Sequence, residues 1–153
     1  MQNELRKARQ LDAASRLRAM QREKAELAYN HRCRELARAE NVLSEERARY
    51  ESLRTNFEAL RRVGVALDPS LHEQRLLAQH CAYQRLEAAY QPVAEALRLV
   101  ESTKKQLLKC RTNEDLIRKA KEQVQRQLDK YSREVEAIDI FDAQAAQGVG
   151  YGY

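Results

Sequence analysis

Glycine and proline are nearly missing from this chain, with four and two respectively among 153 residues. Compact folds of many short elements draw on those two residue types for their turns, so the scarcity argues against a globule and for a few long elements. Long apolar runs are also missing. No stretch of about 18 apolar residues occurs, so no segment is read as spanning a membrane. Residues 1–10 are polar and carry Glu4, Arg6, Lys7 and Arg9 with no apolar core, unlike a secretion signal. Cysteine is scarce and odd in number. Cys33, Cys81 and Cys110 stand at unrelated spacings and read as reduced thiols. The pairs His31/Cys33 and His80/Cys81 do not share a helix face, and nothing nearby completes a tetrahedral set. No metal or other cofactor is therefore expected.

What the chain has is charge and period. Charged residues make up 33% of it, the proportion of long or coiled helices rather than of a domain with a closed core. From Ala82 to Ile138 an apolar row recurs at alternating spacings of four and three. One set reads Leu86, Val93, Val100, Leu107, Leu128 and Val135; the other reads Ala82, Ala89, Ala96, Ile117, Val124, Tyr131 and Ile138, with Glu114 and Lys121 as polar interruptions. Such a narrow stripe needs a partner helix. Upstream, Leu36, Leu43, Tyr50 and Phe57 form one row and Ala39, Leu53 and Leu60 another, broken at Glu46. Above Tyr29 the phase shifts, with Leu17, Met20 and Leu27 in another register.

Between the two stripes lies a short interruption. Gly64 suits the left-handed end of a helix, Pro69 suits a first helical turn, and Asp68 is a possible cap; Ser70-Leu71-His72-Glu73 offers an alternative capping box. A connection this short between long helices forces them antiparallel. The expected fold is all-α: a long antiparallel two-helix coiled-coil hairpin over residues 1–147. Helix one covers about 3–62, the turn 63–69 and helix two about 70–142. A kink is expected near Pro92, where the heptad continues through a proline, and the Gly/Tyr-rich segment 148–153 is expected to be disordered. If the turn centres near Ala66, Leu43 faces Ala89, Leu36 faces Ala96, Arg18 faces Glu114, and Lys121 lies near Leu11 and Asp12. Helix two then outruns helix one, leaving Tyr131, Val135, Ile138 and Phe141 uncovered. At roughly 1.5–3 kcal/mol per fully buried large side chain, such a stripe calls for a cover. Acid-before-base pairs four residues apart, such as Glu45/Arg49, Glu58/Arg62 and Glu114/Arg118, read as helix scaffolding without function.

The net charge of +5 is concentrated at one end. Residues 1–34 hold nine basic residues against four acids, which accounts for all of it. A bare rod offers no concave apolar pocket, so enzymatic activity is not expected. A helix of about 60 residues spans about 90 Å, a length suited to holding two bodies apart or working inside one. Here the arrangement resembles the FliJ/YscO family, central-stalk proteins of flagellar and injectisome type III secretion that in turn resemble the gamma stalk of rotary ATPases. The local likeness is carried by Ile138-Asp139-Ile140-Phe141-Asp142-Ala143-Gln144-Ala145-Ala146, a closing run of hydrophobic, acidic, aromatic and small residues. Pro92 and the Gly/Tyr tail depart from the family's pattern.

The resemblance implies a cytoplasmic stalk protein, peripheral to the secretion apparatus at the inner membrane, with no membrane insertion. Its paired termini would sit in the pore of a hexameric secretion ATPase, promoting assembly and activity through Arg6, Arg9, Arg16 and Arg18 and the stripe Tyr131, Val135, Ile138 and Phe141. Its turn end would face the cytosolic domain of the export gate membrane protein, on the face holding Leu76, His80 and Tyr83. Export chaperones are further implied partners. Two other classes compete: a structural or chaperone-like coiled-coil hairpin, and a basic nucleic-acid-binding rod. The rod is permitted by twenty arginines, but there is no aromatic stacking platform, and no nucleic-acid partner is expected.

Overall fold

The computed structural model describes residues 1–64 and 68–150, with side chains given up to residue 148. Two α-helices make up the fold, α1 over Gln2–Arg62 and α2 over Pro69–Gly150, packed against each other as a hairpin. Gly64 takes a φ of 66°, the left-handed conformation that ends a helix at little steric cost. Of the two possible starts for α2, the first is used. Asp68 caps it: its Oδ1 accepts the Ser70 amide at 3.1 Å, and its carbonyl accepts the His72 amide at 3.0 Å. Pro69 then occupies the first helical position, where its missing N–H costs nothing. Val65, Ala66 and Leu67, expected at the centre of the turn, lie outside the described residues.

One boundary differs from expectation, the end of α2. The second helix continues past Asp142 to Gly150, so Gly148–Gly150 is helical rather than disordered, and 151–153 lie outside the described residues. Ala143, Ala145 and Ala146 are the strongest helix formers and carry it on. As expected, α2 continues through Pro92 without a break.

The chain divides into two compact units, each made of a piece of both helices. The turn unit covers Ala25–Leu107; the terminal unit combines Met1–Lys24 with the segment from Leu108 onward. In the turn unit the seam is apolar and closed. Ala25, Ala82, Leu86, Ala89, Val100 and Leu107 are buried. Aromatic pairs brace the seam: Tyr50 against Tyr83 with ring centres 5.8 Å apart, and Phe57 against His72 at 5.6 Å. Arg47 lies over the Tyr90 ring and donates to its hydroxyl at 3.2 Å. Across these pairs the α1 number rises from Arg47 to Tyr50 to Phe57 while the α2 number falls from Tyr90 to Tyr83 to His72, the mark of an antiparallel pair.

Within the terminal unit the row Glu4, Ala8, Leu11, Ser15, Arg18 and Arg22 of α1 is half-buried at alternating spacings of four and three, with Asp12, Ala14 and Ala19 half-buried at its margins. Within the turn unit Ala25, Tyr29, Leu36, Ala39, Leu43, Glu46 and Tyr50 are buried or half-buried on the seam. The phase shift expected above Tyr29 is thus overturned. Leu17, Met20 and Leu27 do not belong to a second seam; they are exposed. Polar side chains hold the seam positions because the partner helix fixes which face is inside, and local apolar content does not. Several expected surface pairs also re-form on the shorter spacing: Arg49 reaches Glu46 at 3.3 Å and Arg118 reaches Asp115 at 2.9 Å.

Candidate interaction surface

In the terminal unit charged pairs join buried Cys110 and half-buried Leu11, Ile117, Val124 and Leu128 between the two helices. Asp12 lies at the centre of one cluster, its Oδ1 accepting from Lys121 Nζ at 3.1 Å and its Oδ2 paired with Arg16 Nη2 at 3.1 Å. The Lys121 hydrogen bond foremost, then the Arg16 charge, holds the Asp12 carboxyl below the usual carboxylate range. This is the Lys121 contact that the sequence placed. Glu114, expected beside Arg18, pairs instead with Arg22, one helical turn further along α1. Arg18 turns along its own helix and donates to Gln21 Oε1 at 3.1 Å. It is half-buried on the seam and does not join the other arginines. Arg6 and Arg9 are exposed on the opposite side of α1, and Arg16, also exposed, lies at the edge of that side beside Asp12.

Where α1 begins, Glu4 lies in a shallow hollow shared with Gln127, Lys130, Tyr131 and Glu134 of α2. One Glu4 oxygen pairs with Lys7 at 3.2 Å, and the other is buried without a hydrogen-bond partner. Leu128 is the last half-buried residue of α2, and every residue from 129 to 148 is exposed. The uncovered stripe is therefore real: 45% of Tyr131 is exposed, rising to 59% for Ile138 and 70% for Phe141, with Val135 also open. Residues 131–148 carry four acids, Glu134, Glu136, Asp139 and Asp142, against the single base Arg133, so this apolar overhang is acidic.

A second feature of the unit was not anticipated. Helical geometry places Arg6, Arg9, Leu17, Met20 and Lys24 on the α1 face turned away from the seam, with Arg16 at its edge. Leu17 is 54% exposed and Met20 66%. The clue was present in the sequence, since apolar residues out of phase with a seam mark another face. The spacing alone did not say whether the face or the register had changed.

Leu76, His80 and Tyr83 lie in the turn unit, all exposed and at spacings of four and three that share one helix face. Tyr83 is partly committed, because its ring packs on Tyr50 and its hydroxyl bonds Glu87. The Glu87 charge and hydrogen bond push the Tyr83 phenol above its usual range. Of the cysteines, Cys81 is exposed, Cys33 half-buried and Cys110 buried. His31 pairs with Glu35 at 3.0 Å. Among the described residues no three His, Cys, Asp or Glu side chains gather where a metal ion could be held, and no helix is long and apolar enough to cross a membrane. Neither a family model, nor a curated protein, nor a solved structure matches the chain.

Proposed function

We propose that the chain is a central stalk of a type III secretion apparatus, flagellar or injectisome, of the kind the FliJ/YscO family supplies. One observation carries the reading: the terminal unit ends in an exposed, acidic, apolar helix, and exposed Arg6, Arg9 and Arg16 lie on the other helix of the same unit. A helix that leaves Tyr131, Val135, Ile138 and Phe141 in water is built to be enclosed, and a ring of subunits encloses a helix from all sides. In this reading the terminal unit enters the pore of the hexameric export ATPase and promotes its assembly and turnover. The turn unit presents Leu76, His80 and Tyr83 to the cytosolic domain of the export gate, and chaperone-bound substrates are handed over along the same route. The protein then works in the cytoplasm, at the periphery of the secretion apparatus on the inner membrane.

The test is stimulation of a purified hexameric secretion ATPase from the same source. Addition of the chain raises ATP turnover in this reading, and the triple variant Arg6→Glu, Arg9→Glu and Arg16→Glu loses the stimulation while its helicity by circular dichroism stays unchanged. Arg18 is left out of the set because it is half-buried at the seam, whereas Arg16 is exposed although it also pairs with Asp12. Full stimulation by the triple variant would remove the basic face from the contact. No stimulation by the parent chain would remove the stalk reading.

A further inference from the structure

We propose that the terminal unit is a self-association module, in which the acidic overhang of one copy, residues 129–148, lies along the basic outer face of α1 in a second copy. The two surfaces complement each other in charge. The overhang carries Asp129, Glu134, Glu136, Asp139 and Asp142 against Lys130 and Arg133, while the outer face of α1 carries Arg6, Arg9, Arg16 and Lys24 against one exposed acid, Glu23, at its edge. They also match in apolar content, since Ile138 and Phe141 on one side and Leu17 and Met20 on the other are more than half exposed. Overhang against overhang would bring acids together and is disfavoured by the same charges.

Their lengths agree as well. Twenty helical residues span about 30 Å, and the stretch of α1 from Gln2 to Lys24 is of similar reach. Glu4 beside Tyr131 fixes where α1 starts along α2. A two-fold axis placed at that level, perpendicular to the helices, lays each overhang on the other copy's α1 and repeats the contact twice, the closed arrangement of an isologous dimer. The row Tyr131, Val135, Ile138 continues the α2 seam, so each α2 packs on its own α1 as far as Leu128 and on the outer face of its partner's α1 beyond it. The two helices in that contact run parallel, bringing Glu134 near Arg6 and Asp142 near Arg16 of the second copy. The inference does not depend on the stalk reading, because the dimer forms without any ATPase.

Sedimentation of the full chain at low ionic strength tests it, with two charge-reversed variants. One carries Glu134→Lys, Asp139→Lys and Asp142→Lys; the other carries Arg6→Glu, Arg9→Glu and Arg16→Glu. The parent is expected to be a dimer that weakens as salt is raised. Each variant alone meets like charge in both contacts and is expected to dissociate at least about tenfold more readily. An equimolar mixture of the two restores opposite charge at both contacts and is expected to recover a heterodimer. All the changed residues are exposed, and unchanged circular dichroism confirms that each variant folds. A monomeric parent, a dimer indifferent to both reversals, or a mixture that stays monomeric overturns the proposal. None of these results touches ATPase stimulation, which is measured separately.

Discussion

Leu86, Val100 and Leu107 close the turn unit with less than a tenth of their surface exposed, whereas equivalent seam positions of the terminal unit set Arg22 against Glu114 and leave Lys121 to pair with Asp12. The spacing is the same and the helices are the same; only the side chains at the contact differ. Apolar burial contributes roughly 25 cal/mol per Å² removed from water. Ion pairs whose side chains keep a quarter to a half of their surface wet, as these do, contribute far less after solvent screening. The turn unit therefore supplies most of the stability, and the terminal unit is the part that opens or exchanges partners at low cost. Register is set in both, since a charged pair that meets at one spacing is lost at the next.

The largest effect expected from this contrast lies in the turn unit. Leu86→Ala removes a buried side chain from the apolar seam and is expected to cost about 2–3 kcal/mol, at the low end for buried leucine because a two-helix seam is open on both flanks. Urea unfolding followed by circular dichroism reads it directly. A loss of under about 0.5 kcal/mol, the range of surface substitutions, would mean that the turn unit is no better sealed than its neighbour. Next in size is Gly64→Ala. A methyl group meets nothing within 4 Å there, so the whole cost is the left-handed backbone, about 1–2 kcal/mol. Asp68→Ala follows at about 1 kcal/mol through loss of the cap on the Ser70 amide. Equal costs for the last two in the same urea assay would not disturb the comparison, but a neutral Gly64→Ala would show that the turn does not hold that φ in solution.

The fold was largely legible because its main signals are local or strictly periodic. Gly64, Asp68 and Pro69 spell out the turn by their own conformational preferences. The α2 row from Ala82 to Leu128 needed only counting. What resisted reading was set by the partner helix. Arg22 reaches Glu114 where Arg18 was expected, a slip of one turn that a straight count from the hairpin centre does not resolve. The seam position of Glu46 was legible as the break in the Ala39–Leu60 row, but not that one of its carboxylate oxygens is buried and unpartnered. At the candidate surface, the exposure of Tyr131 to Phe141 followed from chain length alone. The basic outer face did not, since Leu17 and Met20 gave the same spacing signal whether they faced inward or outward.

The smallest effect tests the charged seam itself. Asp12 is held below its usual pKa by Lys121 and then Arg16, so its charge is retained to a lower pH in the folded chain than in the unfolded one. A depressed carboxylate contributes stability above its unfolded value, about 3.9, and that contribution is lost as pH falls through the lower folded value. Asp12→Asn removes the charge at every pH. In paired urea titrations the parent is therefore expected to be slightly more stable than the variant at pH 7, and the gap is expected to close as the pH is taken below about 4. Other carboxylates titrate over the same range, but they do so in both proteins and drop out of the difference. A gap that stays constant with pH would assign the Asp12 effect to packing or helix propensity. The Lys121 bridge would then be a contact without energetic weight, and the terminal unit would be held by buried Cys110 and half-buried Leu11, Ile117, Val124 and Leu128.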